Sequence, residues 1–286
     1  VNEDTMPTFK LSWKQDCTQP LPTGQVAHVD QKFEDNLHLF GTKLSQVNGI
    51  VDLRKWAPPV DNQGDASDCV ADSTTSALEL LEIESGLKFV KKSRLFLYYN
   101  ARLQTQETDK DKGTYIRLAF ATLTSLGTCT EATWPYDLSK IAVRPSWKSY
   151  REAFSRKINS YYRIDATDGS ALVDAIKQVI RAGHPVVFGM TVDQNYMDTG
   201  YDGRVAMPTA NRQNAGGHAQ VIVGYDDNLQ RYIVKNSWGT SWGDGGYGYV
   251  PYGYLDASGA NDLWVPYLNV HQPDVSVLTV TMGSGE

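Results

Sequence analysis

The chain of 286 residues contains three cysteines, Cys17, Cys69 and Cys129, too few for a fold stapled by disulfides. Their odd number leaves at least one thiol outside any internal pair, and spacing alone leaves a Cys17–Cys129 bridge open. CxxC, HExxH and paired-histidine spacings are all missing, so neither a bound metal nor a cofactor is expected. No run comes near the roughly 18 apolar residues that span a bilayer. A basic stripe is lacking too, since 33 Asp and Glu against 27 Lys and Arg leave a net charge of -6. Nucleic acid and membrane are therefore poor partners, and a soluble monomer is expected. Asn-x-Ser/Thr acceptors, internal repeats and low-complexity tracts are absent. The first residue is Val1 and no charged-then-apolar leader follows it, which fits either a mature chain after signal removal or a trimmed one.

What is present suffices for a core: 41% of residues are hydrophobic, enough for one large domain or two lobes. Residues 1–50 are polar, are punctuated by Pro20, Pro22 and Gly24, and hold one expected short helix in "DQKFEDNLHLF". They read as an N-terminal appendage or pro-segment ahead of a main domain over 51–286. In "ADSTTSALELLEIESG", Ala77, Leu80, Leu81 and Glu84 fall at helical spacing, with Gly86 where a C-terminal cap belongs. Further helices are predicted at "SRLFLYYNARLQ", "YIRLAFATLTSLG" and "SALVDAIKQVIRAG", the last ended by Gly183 and Pro185. After these come β-rich stretches: "HPVVFGMTV", "HAQVIVGY", "RYIVKNS", "GYGYVPYGY" and "LWVPYLNV". Helices first and strands after predict an α+β protein, with a helical lobe mainly over 65–160 and a β lobe mainly over 161–286.

In "NQGDASDCVADS", Cys69 falls in the first turn of a predicted helix, where Ser67 or Asp68 can cap. A buried cysteine is ordinarily a small hydrophobe. In a first turn, however, free amide N–H groups and the helix dipole favour the thiolate, so a lowered pKa is expected. Asp68 opposes that charge, at little cost if it is an exposed cap. Gln63 supplies a side-chain N–H donor of the kind an oxyanion formed on the thiol needs. Such a thiol also needs an imidazole. Among the histidines, His28, His38 and His271 read as surface and His184 as a turn residue, whereas His218 opens an apolar strand behind Gly216 and Gly217. Read alone, it is equally a satisfied core histidine. In "KNSWGTSWGDGGYGYV", Asn236 can fix an imidazole through its amide oxygen, with Trp238 as a shield. The plain alternative is a glycine-rich loop in which Trp238 and Trp242 pack.

The blocks "PPVDNQGDASDC", "GGHAQVIVGYDD" and "NSWGTSWGDGGYGYV" stand in one order, and over about Val51 to Leu268 the chain resembles a papain-like cysteine peptidase of bacterial type. The resemblance implies a two-lobed α+β fold: a helical lobe and an antiparallel β-barrel-like lobe with the active-site cleft between them. It implies Cys69 as nucleophile, His218 as general base and then acid, Asn236 as orienter, and Gln63 with the Cys69 amide as oxyanion hole. Gly113 matches a substrate-binding glycine pair whose second member is Thr114 here. Tyr115, Ile116, Gly217 and Trp238 then border the substrate, and an apolar preference is expected from Tyr115, Ile116 and the Gly216–Gly217 stretch.

Departures are Val70 and Asp72 in place of an aromatic pair, and Ala66 in place of a disulfide cysteine. The implied activity is endopeptidase cleavage of protein or peptide substrates through an acyl-thioester, in a secreted or periplasmic zymogen. Alternatives are a catalytically silent peptide-binding relative, or another thiol acyl-transfer enzyme such as a deubiquitinase-like hydrolase or transamidase.

Overall fold

A computed structural model describes residues 10–14, 31–165, 169–208, 213–258, 260 and 262–270. Two short strands, β1 (Gln31–Lys32) and β2 (Ile50–Asp52), flank a 3-10 turn at Glu34–Leu39. Four helices follow: α1 (Cys69–Glu84), α2 (Arg94–Leu103), α3 (Ile116–Ser125) and α4 (Trp147–Ala153). Next come β3 (Ser160–Arg163), α5 (Gly169–Arg181), β4 (Val186–Asp193) and the single turn α6 (Gln194–Met197). The chain continues through β5 (Asn214–Asp226), β6 (Arg231–Lys235), β7 (Tyr247–Pro251), α7 (Tyr254–Ser258) and β8 (Asp262–Tyr267).

The strands form one sheet in the order β1-β3-β8-β4-β5-β6-β7, with β2 also on β5. Among the described strand pairs, β1–β3 alone is parallel. Among the described residues the sheet is open at β1 and β7. Helix α1 lies between this sheet and α2 and α3, packing on β5. Helices and sheet thus form the two sides of an α+β molecule.

Helix α1 is buried all round, from Cys69 to Leu81, as a central helix is and a surface helix is not. Three of its hydroxyls are satisfied within the helix. Hydroxyls of Ser73, Thr74 and Thr75 donate to the carbonyls of Cys69, Val70 and Ala71, four residues back. Its carboxylates need cations: Asp72 takes Nη1 of Arg94 at 2.9 Å, and Glu79 takes Nζ of Lys91 at 3.3 Å. Lys91 also pairs with Asp61. The position where an aromatic was expected, Asp72, is therefore held by an ion pair to α2. Gly86 adopts a φ of +82° immediately after the cap residue Ser85, as the C-terminal cap reading requires.

The short helix expected near residue 34 is a 3-10 turn broken at Asn36 (φ -120°). Phe33 and Phe40 at its ends are buried, and Phe40 meets Tyr162, His184 and Tyr267 edge-on. Residues 31–52 thus enter the sheet and its core. His184, expected in a turn, is buried, and its Nδ1 lies 3.1 Å from the Pro266 carbonyl. Cys129 is a free buried thiol, and Cys17 falls outside the described residues. So do His28 and His271.

Candidate active site

Cys69 is the first residue of α1, and Asp68 is its N-cap without a side-chain cap bond. The condition under which Asp68 would cost little, exposure as a cap, is not met. Asp68 is fully buried, and its Oδ1 accepts from Tyr136 Oη at 3.1 Å. Burial, with the charge of Asp72 adding, pushes its carboxyl up to about 7. The thiol also departs from expectation. It is fully buried, and desolvation, reinforced by the Asp68 charge, pushes its pKa up to about 12, although the backbone of Ala219 and the neighbouring Ser12 pull it back. Removal from water outweighs the helix terminus here.

His218 lies on β5 opposite Met190 of β4. Its Nε2–H donates to Asn236 Oδ1 at 2.8 Å. This bond fixes the tautomer and leaves Nδ1 as the lone-pair nitrogen, buried and without a hydrogen-bond partner among the described residues. The Trp238 ring stacks on the imidazole at 4.4 Å and 17°. Burial pushes the ring down to about 4, against the pull of Asn236 in the other direction. Asn236 is held in turn by its own N–H, which donates to the Gly246 carbonyl at 3.0 Å. The helix and the sheet are joined at this point by Ser73, whose hydroxyl lies 2.7 Å from the Cys69 carbonyl and 2.9 Å from the Ala219 carbonyl.

Gln63 belongs to the loop before α1, yet it is anchored from the sheet side. Its N–H donates to the Ser237 carbonyl at 2.9 Å, and Ser237 Oγ donates to its Oε1 at 2.7 Å. With the amide oxygen so engaged, Nε2 must face the other way, where it donates to the carbonyls of Ala66 (3.0 Å) and Lys10 (3.2 Å). Ser237 was legible as part of "KNSWG" but carried no expected role. It orients the donor.

The second bond of Gln63 reveals an occupant. Residues 10–14, Lys-Leu-Ser-Trp-Lys, lie across the site as a strap. Trp13 N–H donates to the Gly217 carbonyl at 3.0 Å, and Lys14 N–H to the Thr114 carbonyl at 3.3 Å. The Ser12 carbonyl lies so close over Gly113 that a Cβ there would stand 1.6 Å from it. Lys14 Nζ sits 5.7 Å from the Tyr115 ring centroid, and Leu11 covers Gly216. Lys10 and Lys14 pair with Asp111 and Glu107 at 2.9 and 2.6 Å. Thus Gly113, Thr114, Tyr115 and Gly217 all border the strap. Ile116 is fully buried as the first residue of α3, and Trp238 covers the imidazole. Nothing in the periodicity of "KLSWK" signalled a cleft ligand.

Comparisons with known proteins follow this geometry. Residues 47–262 match the family model described as papain family cysteine protease. A peptidase C1-like protein of Acanthamoeba polyphaga mimivirus is 37% identical over 262 residues, 84% of each chain. Among solved structures, xylellain, a cysteine protease from Xylella fastidiosa, superposes with a TM-score of 0.72 at 31% identity, over 84% of this chain and 92% of its own. The proform of the ragweed pollen cysteine protease shares the fold, with a TM-score of 0.60 at 24% identity over 81% of this chain and 69% of its own.

Proposed function

The chain belongs to the papain family of cysteine proteases, and from that premise we propose that it is an endopeptidase working through a Cys69–His218–Asn236 triad, held latent by its own residues 10–14. The observation that carries the reading is the His218 Nε2–Asn236 Oδ1 bond, which leaves Nδ1 as a base on the sheet face joined by Ser73 to the turn bearing Cys69.

In the proposed reaction, His218 Nδ1 takes the thiol proton as Sγ attacks the scissile carbonyl. The oxyanion is met by Gln63 Nε2 and the Cys69 backbone N–H. His218 returns the proton to the leaving amine, and the C–N bond breaks to give the acyl-thioester. Water then loses a proton to His218 and attacks the thioester, releasing the carboxylic acid and restoring the thiol. Asn236 keeps the ring in the productive tautomer throughout.

The strap supports latency for a geometric reason. The oxyanion donor holds the Lys10 carbonyl while the thiol faces Ser12. Two peptide units share the two groups that a single scissile unit requires, so the strap occupies the machinery without presenting a bond to it. Under this reading residues 1–50 supply the cover and its anchorage, and 51–286 are the peptidase domain. A protease made with its cleft filled can be exported before it acts, which favours a secreted or periplasmic enzyme.

The test is alkylation of Cys69 by a peptidyl epoxide, followed by mass spectrometry, in the full chain and in a chain beginning at residue 15. Labelling that is fast in the shortened chain and slow in the full one supports the reading. Turnover retained by Cys69→Ala rejects the nucleophile, and equal labelling of both chains rejects the latency.

A further inference from the structure

The carboxyl group next to the nucleophile sits where a negative charge is hard to keep. Asp68 is fully buried beside Cys69, and as the N-cap of α1 it makes no side-chain bond to the helix amides. Its Oδ2 has no hydrogen-bond partner among the described residues, and its Oδ1 meets Tyr136 Oη at 3.1 Å. The cations that feel it are committed elsewhere. Arg94 holds Asp72 at 2.9 Å, lies 3.8 Å from Asp61, and has its Nε 3.4 Å from Glu131. Arg102 donates to the carbonyls of Tyr98, Thr108, Lys110 and Ile141. Asp72 on α1 and Asp111 in the loop before α3 add charge of the same sign. Asp111 is itself satisfied by Ser67 N–H, Tyr98 and Lys10. A bare, buried oxygen with no free cation near it favours the neutral acid, in keeping with the carboxyl's rise to about 7, by burial first and Asp72 second.

Tyr136 makes that proton consequential. Its hydroxyl has one hydrogen and two acceptors in reach, the Gln63 carbonyl at 2.9 Å and Asp68 Oδ1 at 3.1 Å. With Asp68 ionised, the two oxygens compete for that hydrogen. With Asp68 protonated, the carboxyl donates to Tyr136 Oη, whose own hydrogen is free for Gln63. The Arg94 guanidinium, 3.6 Å from the ring centroid, keeps the phenol in place. We propose that Asp68 is a positioning residue whose proton sets the activity of the site: the acid completes a chain from Asp68 through Tyr136 to Gln63, and the carboxylate breaks it and sets a negative charge against the thiol. The proposal rests on the endopeptidase reading above. As pH rises, Asp68 loses its proton to water, and Tyr136 keeps its own but turns it from the Gln63 carbonyl to Oδ1. Both consequences slow the reaction. The residue that must hold Nε2 on the oxyanion loses a restraint on its main chain, and a carboxylate beside Cys69 opposes the thiolate.

The experiment uses the full-length Trp13→Ala chain, which lacks the strap's buried anchor, 8% exposed in the parent. It reads kcat/KM on a peptide substrate, and epoxide labelling of Cys69, from about pH 5 to about pH 9. Asp68→Asn cannot ionise, and its amide N–H donates to Tyr136 Oη as the acid does. The rate of Asp68→Asn relative to its parent should be near one at about pH 5.5 and about tenfold at about pH 8.5, the effect of moving the thiol's ionisation by about one unit. Titration of His218, common to both chains, cancels in that ratio. Tyr136→Phe keeps the carboxyl but breaks the chain. It should slow the acid-side rate by about three- to tenfold, the worth of one hydrogen bond, and change the alkaline side less. Profiles of identical shape for Asp68→Asn and its parent overturn the proposal and leave the peptidase standing. Should Asp68→Asn fail to fold, Tyr136→Phe decides: an equal loss at both ends of the pH range marks a merely structural hydroxyl and overturns the proposal. No turnover and no labelling of Cys69 in any chain at any pH overturns both.

Discussion

Nε2 of Gln63 lies 3.2 Å from the carbonyl oxygen of Lys10, and the opposite end of the same amide is gripped at 2.7 Å by Ser237 Oγ. The donor proposed for the oxyanion is therefore already oriented and already engaged. Ser237→Ala should leave the fold intact while the amide loses its orientation. After strap removal, kcat should fall about ten- to a hundredfold with little change in KM, since the bond matters in the transition state. Steady-state kinetics of the shortened chain check it.

Within the strap, burial should outweigh charge. Trp13 is almost fully buried, and losing it removes on the order of 2 kcal/mol, roughly thirtyfold in the open population. The Lys10–Asp111 and Lys14–Glu107 pairs are partly exposed, and such pairs contribute about 0–1 kcal/mol. Trp13→Ala should accordingly speed epoxide labelling of Cys69 far more than Lys10→Ala or Lys14→Ala, each of which should change it less than about fivefold. Labelling rates of the three full-length variants decide the order.

His218 and Asn236 should differ in consequence. His218→Ala removes the base and should lower kcat of the opened enzyme by roughly 10²–10⁴. Asn236→Ala removes only the bond that holds the ring, so its loss should be smaller, with a disturbed pH profile in place of an abolished one. Kinetics across pH 5–9 separate the two.

Acid should destabilise the covered form through its histidines. His184 and His218 are both pushed down to about 4, in each case by burial first. An unfolded histidine takes its proton near about 6.5. Between those values the unfolded chain binds more protons, so stability is lost as pH falls from about 6.5 through about 4. His184→Phe should flatten that decline, measured as melting temperature against pH. Asp68 and Glu79, raised to about 7 mainly by burial, act in the opposite sense. Their contribution is present below the ordinary carboxylate range and is lost as pH rises through about 7.

Arg94 neutralises Asp72 from inside the molecule, and its guanidinium also lies 3.8 Å from Asp61. Removing one side of a buried pair strands the other, at about 3–5 kcal/mol. Arg94→Met should therefore lower unfolding stability by that amount in urea titration, with little change in the Cys69 environment of whatever remains folded.

The elements that carry the site were largely legible. Helix α1 was marked by its leucine spacing and Gly86, and β4 through β8 by their β-branched and aromatic runs. What local pattern could not supply was anything set by partners distant in the chain. Asp68 looks like a surface cap until Tyr136 and Asp72 enclose it. Strands β1 and β2 are too short to announce themselves and exist because β3 and β5 offer edges to pair with. The thiol's expected low pKa is absent for a related reason: its burial is set by tertiary packing, with Ala219 and Ser12, both distant in sequence, beside it.

β1 is fastened to β3 by parallel pairing of Gln31 with Tyr162 and Lys32 with Arg163, so the segment over the site belongs to a chain that is anchored again in the sheet. A segment joined to its own site in this way meets it within one molecule, whatever the dilution of the protein. One cut between Lys14 and Gln31 should turn residues 10–14 into a separate peptide that dilution can remove. Cutting would then act as a one-way trigger, while any loosening short of it would reverse.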